Sequence, residues 1–175
     1  MTSTERQARI RSALERYEGP LIRYAVRITG DVDTARDVVQ DTFLRLCTAK
    51  RSPVDDPPGE DHLAAWLYTT CRNRALDVKR KERPMNPLAE AHLEHQPSPR
   101  PSPSDTLEQK ETEGRVLRAL ETLPEKQQEV VRLKFQSGLS YREISRVTGH
   151  SVSNVGYLIH MAVKALRATV VEGGL

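Results

Sequence analysis

Six cations, Arg72, Arg74, Lys79, Arg80, Lys81 and Arg83, stand within twelve residues that hold only two carboxylates, Asp77 and Glu82. Their summed field attracts polyanions. The same run also suits a solvated helix end, where each cation complements the dipole by about 0.3 to 1 kcal/mol. A second group, Ser153, Asn154, Tyr157, His160, Met161 and Lys164, recurs at helical spacing near the other end of the chain. Polar groups in its first turns can exchange hydrogen bonds with base edges in a major groove, and the helix N-terminus can meet phosphate. A third group, Asp37, Gln40 and Asp41 with Leu44, forms a polar stripe.

The elements that must carry these groups are helical. Residues 11–29 repeat apolar positions at Leu14, Tyr17, Leu21 and Val26, with Gly19-Pro20 a point for a fresh turn, and GDVD follows as turn and cap. A helix from about 33 to 48 packs Val39, Phe43 and Leu46 inward and offers the polar stripe nearly half a turn away. After the turn-rich RSPVDDPPGED, a helix over about 61–82 repeats Leu63, Leu67, Cys71, Ala75 and Val78, and its second half is the cationic run.

Further on, an amphipathic helix surrounds Val116, Leu117 and Leu120. Pro124 suits a first helical position, and Val130, Val131 and Phe135 share a face before Gly138. Ser140 or Leu139 caps a short helix packed by Ile144 and Val147. Gly149 turns the chain, and Ser151 caps a longer helix whose stripe is Val152, Val155, Ile159, Ala162 and Leu166. A short helix, a glycine turn and a longer capped helix make a helix-turn-helix pattern. An ordinary helical hairpin uses the same devices.

The 175 residues suit one or two small domains, and 37% hydrophobic against 29% charged residues suits a soluble chain with modest cores. Net charge divides as +3 over residues 1–84, −3 over 85–108 and +3 over 109–175. Two basic modules therefore flank an acidic segment. That segment carries prolines at 87, 97, 99, 101 and 103, and its Pro-Ser stretch, Pro97 to Ser104, is expected to be extended or disordered. The expected architecture is all-α: a helical domain over 1–84, a flexible Pro-rich linker over 85–108 and a helical domain over 109–175.

No apolar run reaches a membrane span and no secretory leader is evident, so no membrane insertion and a cytoplasmic location are expected. Cys47 and Cys71 are too isolated for a disulfide framework and are read as reduced core or near-core residues. The five histidines are scattered, and no HExxH, Walker A or GxSxG pattern occurs. Neither catalysis nor a metal or other cofactor is expected.

Three segments together resemble the extracytoplasmic-function (ECF) group of the sigma-70 family of bacterial RNA polymerase sigma factors. RYAVRITGDVDTARDVVQDTFLRL resembles regions 2.1 to 2.2, HLAAWLYTTCRNRALDVKRKER regions 2.3 to 2.4, and ALETLPEKQQEVVRLKFQSGLSYREISRVTG region 4.1 and the start of 4.2. The resemblance implies a transcription initiation factor whose partners are core RNA polymerase, through the β′ clamp helices and β flap, promoter DNA, and an anti-sigma factor or other inhibitory partner. It implies polymerase contact by Asp37, Gln40, Asp41 and Arg45. Minus-10 contact falls to Trp66, Arg72, Asn73, Arg74, Asp77, Lys79 and Arg80, with Tyr68 as a further aromatic, although Trp66 beside Leu63 and Leu67 also reads as core. Minus-35 contact falls to Tyr141, Arg142, Ser153, Asn154, Tyr157, His160 and Lys164.

With few aromatics to hold unpaired bases, each worth about 1 to 3 kcal/mol when stacked, such a factor melts DNA weakly and requires near-consensus promoters. The last helix departs from the family. It reads NVGYLIHMAVKAL, where a basic, polar pattern is common. It can read thymine methyls, be covered by protein, or belong to a sigma-like module that binds partners without DNA. A working sigma factor whose apolar face is masked when free is the favoured expectation.

Overall fold

The computed structural model describes residues 1–56, 62–82 and 107–172, and these form seven α-helices and one short 3-10 turn, with no strand among them. They fall into two compact units divided between Gln96 and Pro97.

In the first unit, α1 (Ser3–Thr29) opens with a reciprocal cap. Thr2 N donates to Glu5 Oε2 at 2.7 Å and Glu5 N to Thr2 Oγ1 at 3.2 Å, so two orphan amides are satisfied. The helix begins eight residues before the expected start and runs through Gly19-Pro20 without a fresh turn. Gly19 has no Cβ to clash with the proline ring, and packing of α1 on its neighbours outweighs the lost amide. Gly30, at φ 78°, ends it.

Asp31 caps α2 (Val32–Thr48) by accepting from Thr34 N at 2.7 Å; that hydrogen bond holds its carboxyl below the usual range. The far end of α2 is closed from a distance. Arg6 donates from Nη1 to Cys47 O at 3.0 Å and from Nη2 to Leu46 O at 3.2 Å and Ala49 O at 3.4 Å, while its Nε meets Asp55 Oδ1 at 3.0 Å. One guanidinium thus serves carbonyls that a helix C-terminus leaves unpaired. Arg9 Nη1 adds bonds to Val54 O at 3.0 Å and Asp56 O at 2.8 Å. The segment these arginines hold includes the 3-10 turn Pro53–Asp55, capped by Ser52.

Helices α1, α2 and α3 (His62–Glu82) pack on one another. Leu21, Val39, Phe43, Leu46, Leu67, Cys71 and Ala75 are buried as expected, together with Tyr24. Leu14 departs from expectation and is exposed, because the half of α1 before Pro20 is buried only at Ala13. Cys47 is likewise exposed, one position past buried Leu46, so its placement near the core is corrected. Cys71 is buried, and burial pushes its thiol up to about 12.

The second unit contains α4 (Leu107–Glu121), α5 (Glu125–Phe135), α6 (Tyr141–Thr148) and α7 (Val152–Glu172). The first two residues of α4 belong to the segment read as linker; the rest of that segment, residues 85–106 with the Pro97 to Ser104 stretch, lies outside the described residues. Pro124 is the N-cap of α5, one position earlier than expected, since its ψ of 143° is extended and helical geometry begins at Glu125. Leu120, Leu123, Val131 and Ala162 form a core with Leu166 packed against it. Phe135 departs from its expected face and is 64% exposed: α5 is enclosed at Val130–Leu133 and emerges at its last residue. Val152 at the head of α7 is 45% exposed for the same reason, before the buried stripe of Val155, Ile159 and Ala162 begins.

Candidate functional site

The α2 ridge presents Asp37, Gln40 and Leu44 to solvent, opposite the buried Val38, Val39, Thr42 and Phe43. Asp41 is half-buried between two guanidinium groups. Its Oδ2 lies 3.1 Å from Arg45 Nε on the next turn and 3.3 Å from Arg74 Nε on α3. The structure thus joins a residue expected to meet polymerase to one expected to meet DNA.

Along α3, Asn73, Asp77, Arg80 and Lys81 are exposed, while Arg72, Arg74 and Lys79 are half-buried. Arg80 Nη2 holds Asp77 Oδ1 at 2.8 Å. Arg83 lies outside the described residues. The aromatic expectation divides. Trp66 is half-buried, but Tyr68 is 1% exposed and meets the Tyr24 ring edge-on at a centroid distance of 5.3 Å. Tyr68 is core, so its expected availability to an unpaired base is corrected: the surface of α1, not the position within α3, decides which face is covered.

In the second unit, Ser140 and Glu143 form a capping box on α6. Ser140 N donates to Glu143 Oε2 at 2.6 Å, and Glu143 N to Ser140 Oγ at 3.2 Å. Ile144 and Val147 anchor α6, and Gly149 turns the chain at φ 77°, a left-handed conformation that suits glycine. Ser145 Oγ donates to His150 O at 2.6 Å across that turn, and Asn154 N donates to Ser151 Oγ at 3.1 Å to start α7. Two short caps and one glycine therefore fix the angle between the helices.

Several expected residues are exposed on these two helices. Ser153, Asn154, Tyr157, His160 and Lys164 are exposed along α7, and Arg142 is exposed on α6. Tyr141 belongs to the packing between helices as much as to the surface. Its ring would meet a Cβ on Gly156 at 3.5 Å, and Lys134 Nζ sits 5.3 Å from its centroid. Met161 and Leu158 are half-buried, and the exposed large apolar side chains of α7 are Val152 and Tyr157 in its first turns and Val170 and Val171 in its last.

Sequence reasoning missed Arg6 and Arg9. Their partners lie some forty residues on, and no local pattern marks them. No helix among the described residues is long and apolar enough to cross a membrane.

Comparison with known proteins follows the same division. The family model Sigma-70 region 2 matches residues 13–84, and Sigma-70, region 4 matches residues 113–166. The chain is 30% identical over 168 residues to the ECF RNA polymerase sigma factor SigL of Mycobacterium tuberculosis, covering 96% of this chain and 92% of that protein. It is 31% identical over 110 residues to the ECF RNA polymerase sigma factor RpoE of Cereibacter sphaeroides, covering 63% of this chain and 59% of that one. Among solved structures, the sigma factor RpoE from Bartonella quintana, crystallised with the anti-sigma factor NepR, shares the fold at a TM-score of 0.67 and 21% identity, over 91% of this chain and 95% of that one.

Proposed function

The chain belongs to the ECF group of the sigma-70 family of RNA polymerase sigma factors, and from that premise we propose how its two units divide the work of initiation. It is a sigma factor: it binds core RNA polymerase and directs it to promoters. In our reading residues 1–84 bind the polymerase and the minus-10 element, residues 85–108 connect, and residues 109–175 bind the minus-35 element. The chain acts by binding, with no active site of its own.

One observation supports the assignment within the first unit. The polar ridge of α2 and the cationic half of α3 meet at Asp41, which Arg45 and Arg74 hold between them. An enzyme-facing surface and a DNA-facing surface on adjoining helices are held in register there. Asp37, Gln40, Asp41 and Arg45 then face the polymerase, while Arg72, Asn73, Lys79 and Arg80 approach DNA near Trp66. Arg74 acts as a positioning residue through Asp41, and Asp77 does the same for Arg80. With Tyr68 buried, α3 has Trp66 alone as an aromatic near the surface, which favours near-consensus promoters.

Run-off transcription with core polymerase tests the assignment by comparing the intact chain with an Arg72→Ala, Lys79→Ala, Arg80→Ala triple variant. Loss of promoter-dependent transcript with retained polymerase binding is expected. Full output from the variant would remove α3 from promoter contact.

The exposed apolar groups of α7 favour a second partner: an anti-sigma factor that covers this face in the free state. Under the alternative reading of the whole chain, a sigma-like module sequesters such a protein without productive DNA recognition. Promoter-dependent transcription by the intact chain excludes that alternative.

A further inference from the structure

The assignment of α7 to upstream DNA leaves open which bases it reads, and its exposed chemistry narrows the answer. Guanine is most often read by a bidentate Arg or Lys on its O6 and N7. Residues 152–163, the first three turns of α7, contain neither. The exposed groups on its outer face are instead a hydroxyl at Ser153, an amide at Asn154, the ring of Tyr157, which is 60% exposed, and the imidazole of His160, while exposed Val152 continues the line of the buried stripe. A carboxamide matches adenine N6 and N7, and apolar groups meet the thymine methyl. Recognition helices present their N-terminal turns to base edges, the part of α7 where these groups lie.

Charge around this face suits the same ligand. Residues 139–171 carry four cations, Arg142, Arg146, Lys164 and Arg167, all exposed. Their one carboxylate, Glu143, is 8% exposed and engaged with Ser140 N. These residues therefore combine an amide and an aromatic ring with exposed cations on α6 and in the later turns of α7, and the exposed carboxylate of α7 is Glu172 at its end. Cations at the margin suit phosphates, which position a protein without reading sequence.

We propose that α7 reads an A·T-rich upstream element through Asn154 on adenine and Tyr157 on a thymine methyl, a specificity that rests on the minus-35 assignment made above. Guanine is disfavoured at the steps read by these turns because residues 152–163 hold no Arg or Lys to reward it.

The test uses the full chain with core polymerase on promoter fragments whose upstream window is randomised while the minus-10 region and spacer are also sampled, followed by sequencing of transcribed templates. A·T-rich upstream windows are expected, with a single A·T to G·C change at a read step lowering yield about 5- to 150-fold. Asn154→Ala should flatten the preference at one step and Asn154→Arg should move that step toward guanine; the position is exposed, and the Ser151 cap uses the backbone amide, which survives substitution. Guanine-containing upstream windows from the intact chain overturn the base assignment and leave the minus-35 reading in place. A recovered minus-10 sequence with no upstream enrichment overturns both the base assignment and the minus-35 reading, and leaves the α7 face to a protein partner. No enrichment anywhere overturns the sigma reading itself.

Discussion

Asp41 on α2 and Arg74 on α3 meet at 3.3 Å, and the same carboxylate oxygen holds Arg45 at 3.1 Å. A single oxygen therefore fixes the α2 ridge against the α3 cationic half. Arg74→Ala should weaken core polymerase binding by up to about fivefold, the scale of a partly exposed ion pair worth about 0.2 to 1 kcal/mol. Titration of labelled protein with core enzyme measures this. Unchanged polymerase affinity with lost promoter affinity would return Arg74 to direct DNA contact.

The clasp made by Arg6 carries a larger share of stability. Its guanidinium serves Asp55 and three carbonyls at the end of α2 while only about a quarter exposed, 27% for its side chain. Truncation strands several polar groups at once, so Arg6→Ala should destabilise the first unit by about 2 to 3 kcal/mol. Urea denaturation followed in the first unit's transition checks the value; a midpoint unmoved from the parent chain would show the clasp to be ornamental.

Cys71 predicts both a labelling pattern and a pH dependence. A neutral thiol reagent at pH 8 should modify exposed Cys47 in the folded chain and reach Cys71 only after unfolding. Because the folded thiol titrates at about 12 and its ordinary value is 9.0, the unfolded chain loses this proton first as pH rises. The stabilisation is complete below pH 9 and is lost toward pH 12, with a slope approaching about 1.4 kcal/mol per pH unit. Cys71→Ala should lack that component when the two chains' stabilities are compared across alkaline pH.

Gly156 offers a test of opposite sign. A Cβ there would lie 3.5 Å from Tyr141 Cε2, an ordinary contact, so Gly156→Ala should stabilise the second unit by about 0.5 to 1 kcal/mol through helix propensity. Gly156→Val adds branches toward the ring and should forfeit the gain. Thermal melts of the two variants distinguish these outcomes.

The salt response of promoter binding tests the cations of α3 independently of transcription. Each phosphate contact removed should reduce the slope of log K against log salt by about 0.9, so the Arg72, Lys79 and Arg80 triple-Ala variant should show a visibly flatter line. Equal slopes would mean that those side chains do not neutralise phosphates.

Much of this architecture was legible because helical periodicity reports one face at a time. Val39, Phe43 and Leu46 on α2 and Val155, Ile159 and Ala162 on α7 recur at the spacing of a packed stripe, and they are buried. The caps at Ser140 and Ser151 and the turn at Gly149 were readable for local reasons. Periodicity fails where coverage stops short of the helix. Phe135 and Val152 stand at helix ends and Leu14 in the half of α1 before Pro20, and none of the three is buried among the described residues. Tyr68 failed for another reason: Tyr24, on a different helix, determines its burial. The expected surface residues of α2, α3 and α7 were found by type, but the bond between Asp41 and Arg74 joins residues more than thirty positions apart and leaves no trace in local spacing.

The bond from Arg6 to Asp55 spans 49 positions and so imposes an order on assembly. During synthesis the first turns of α1 wait unanchored until the end of α2 and the 3-10 turn have emerged. Once closed, these remote segments should open as one cooperative unit, and their slowly exchanging amides should share a common rate in hydrogen exchange.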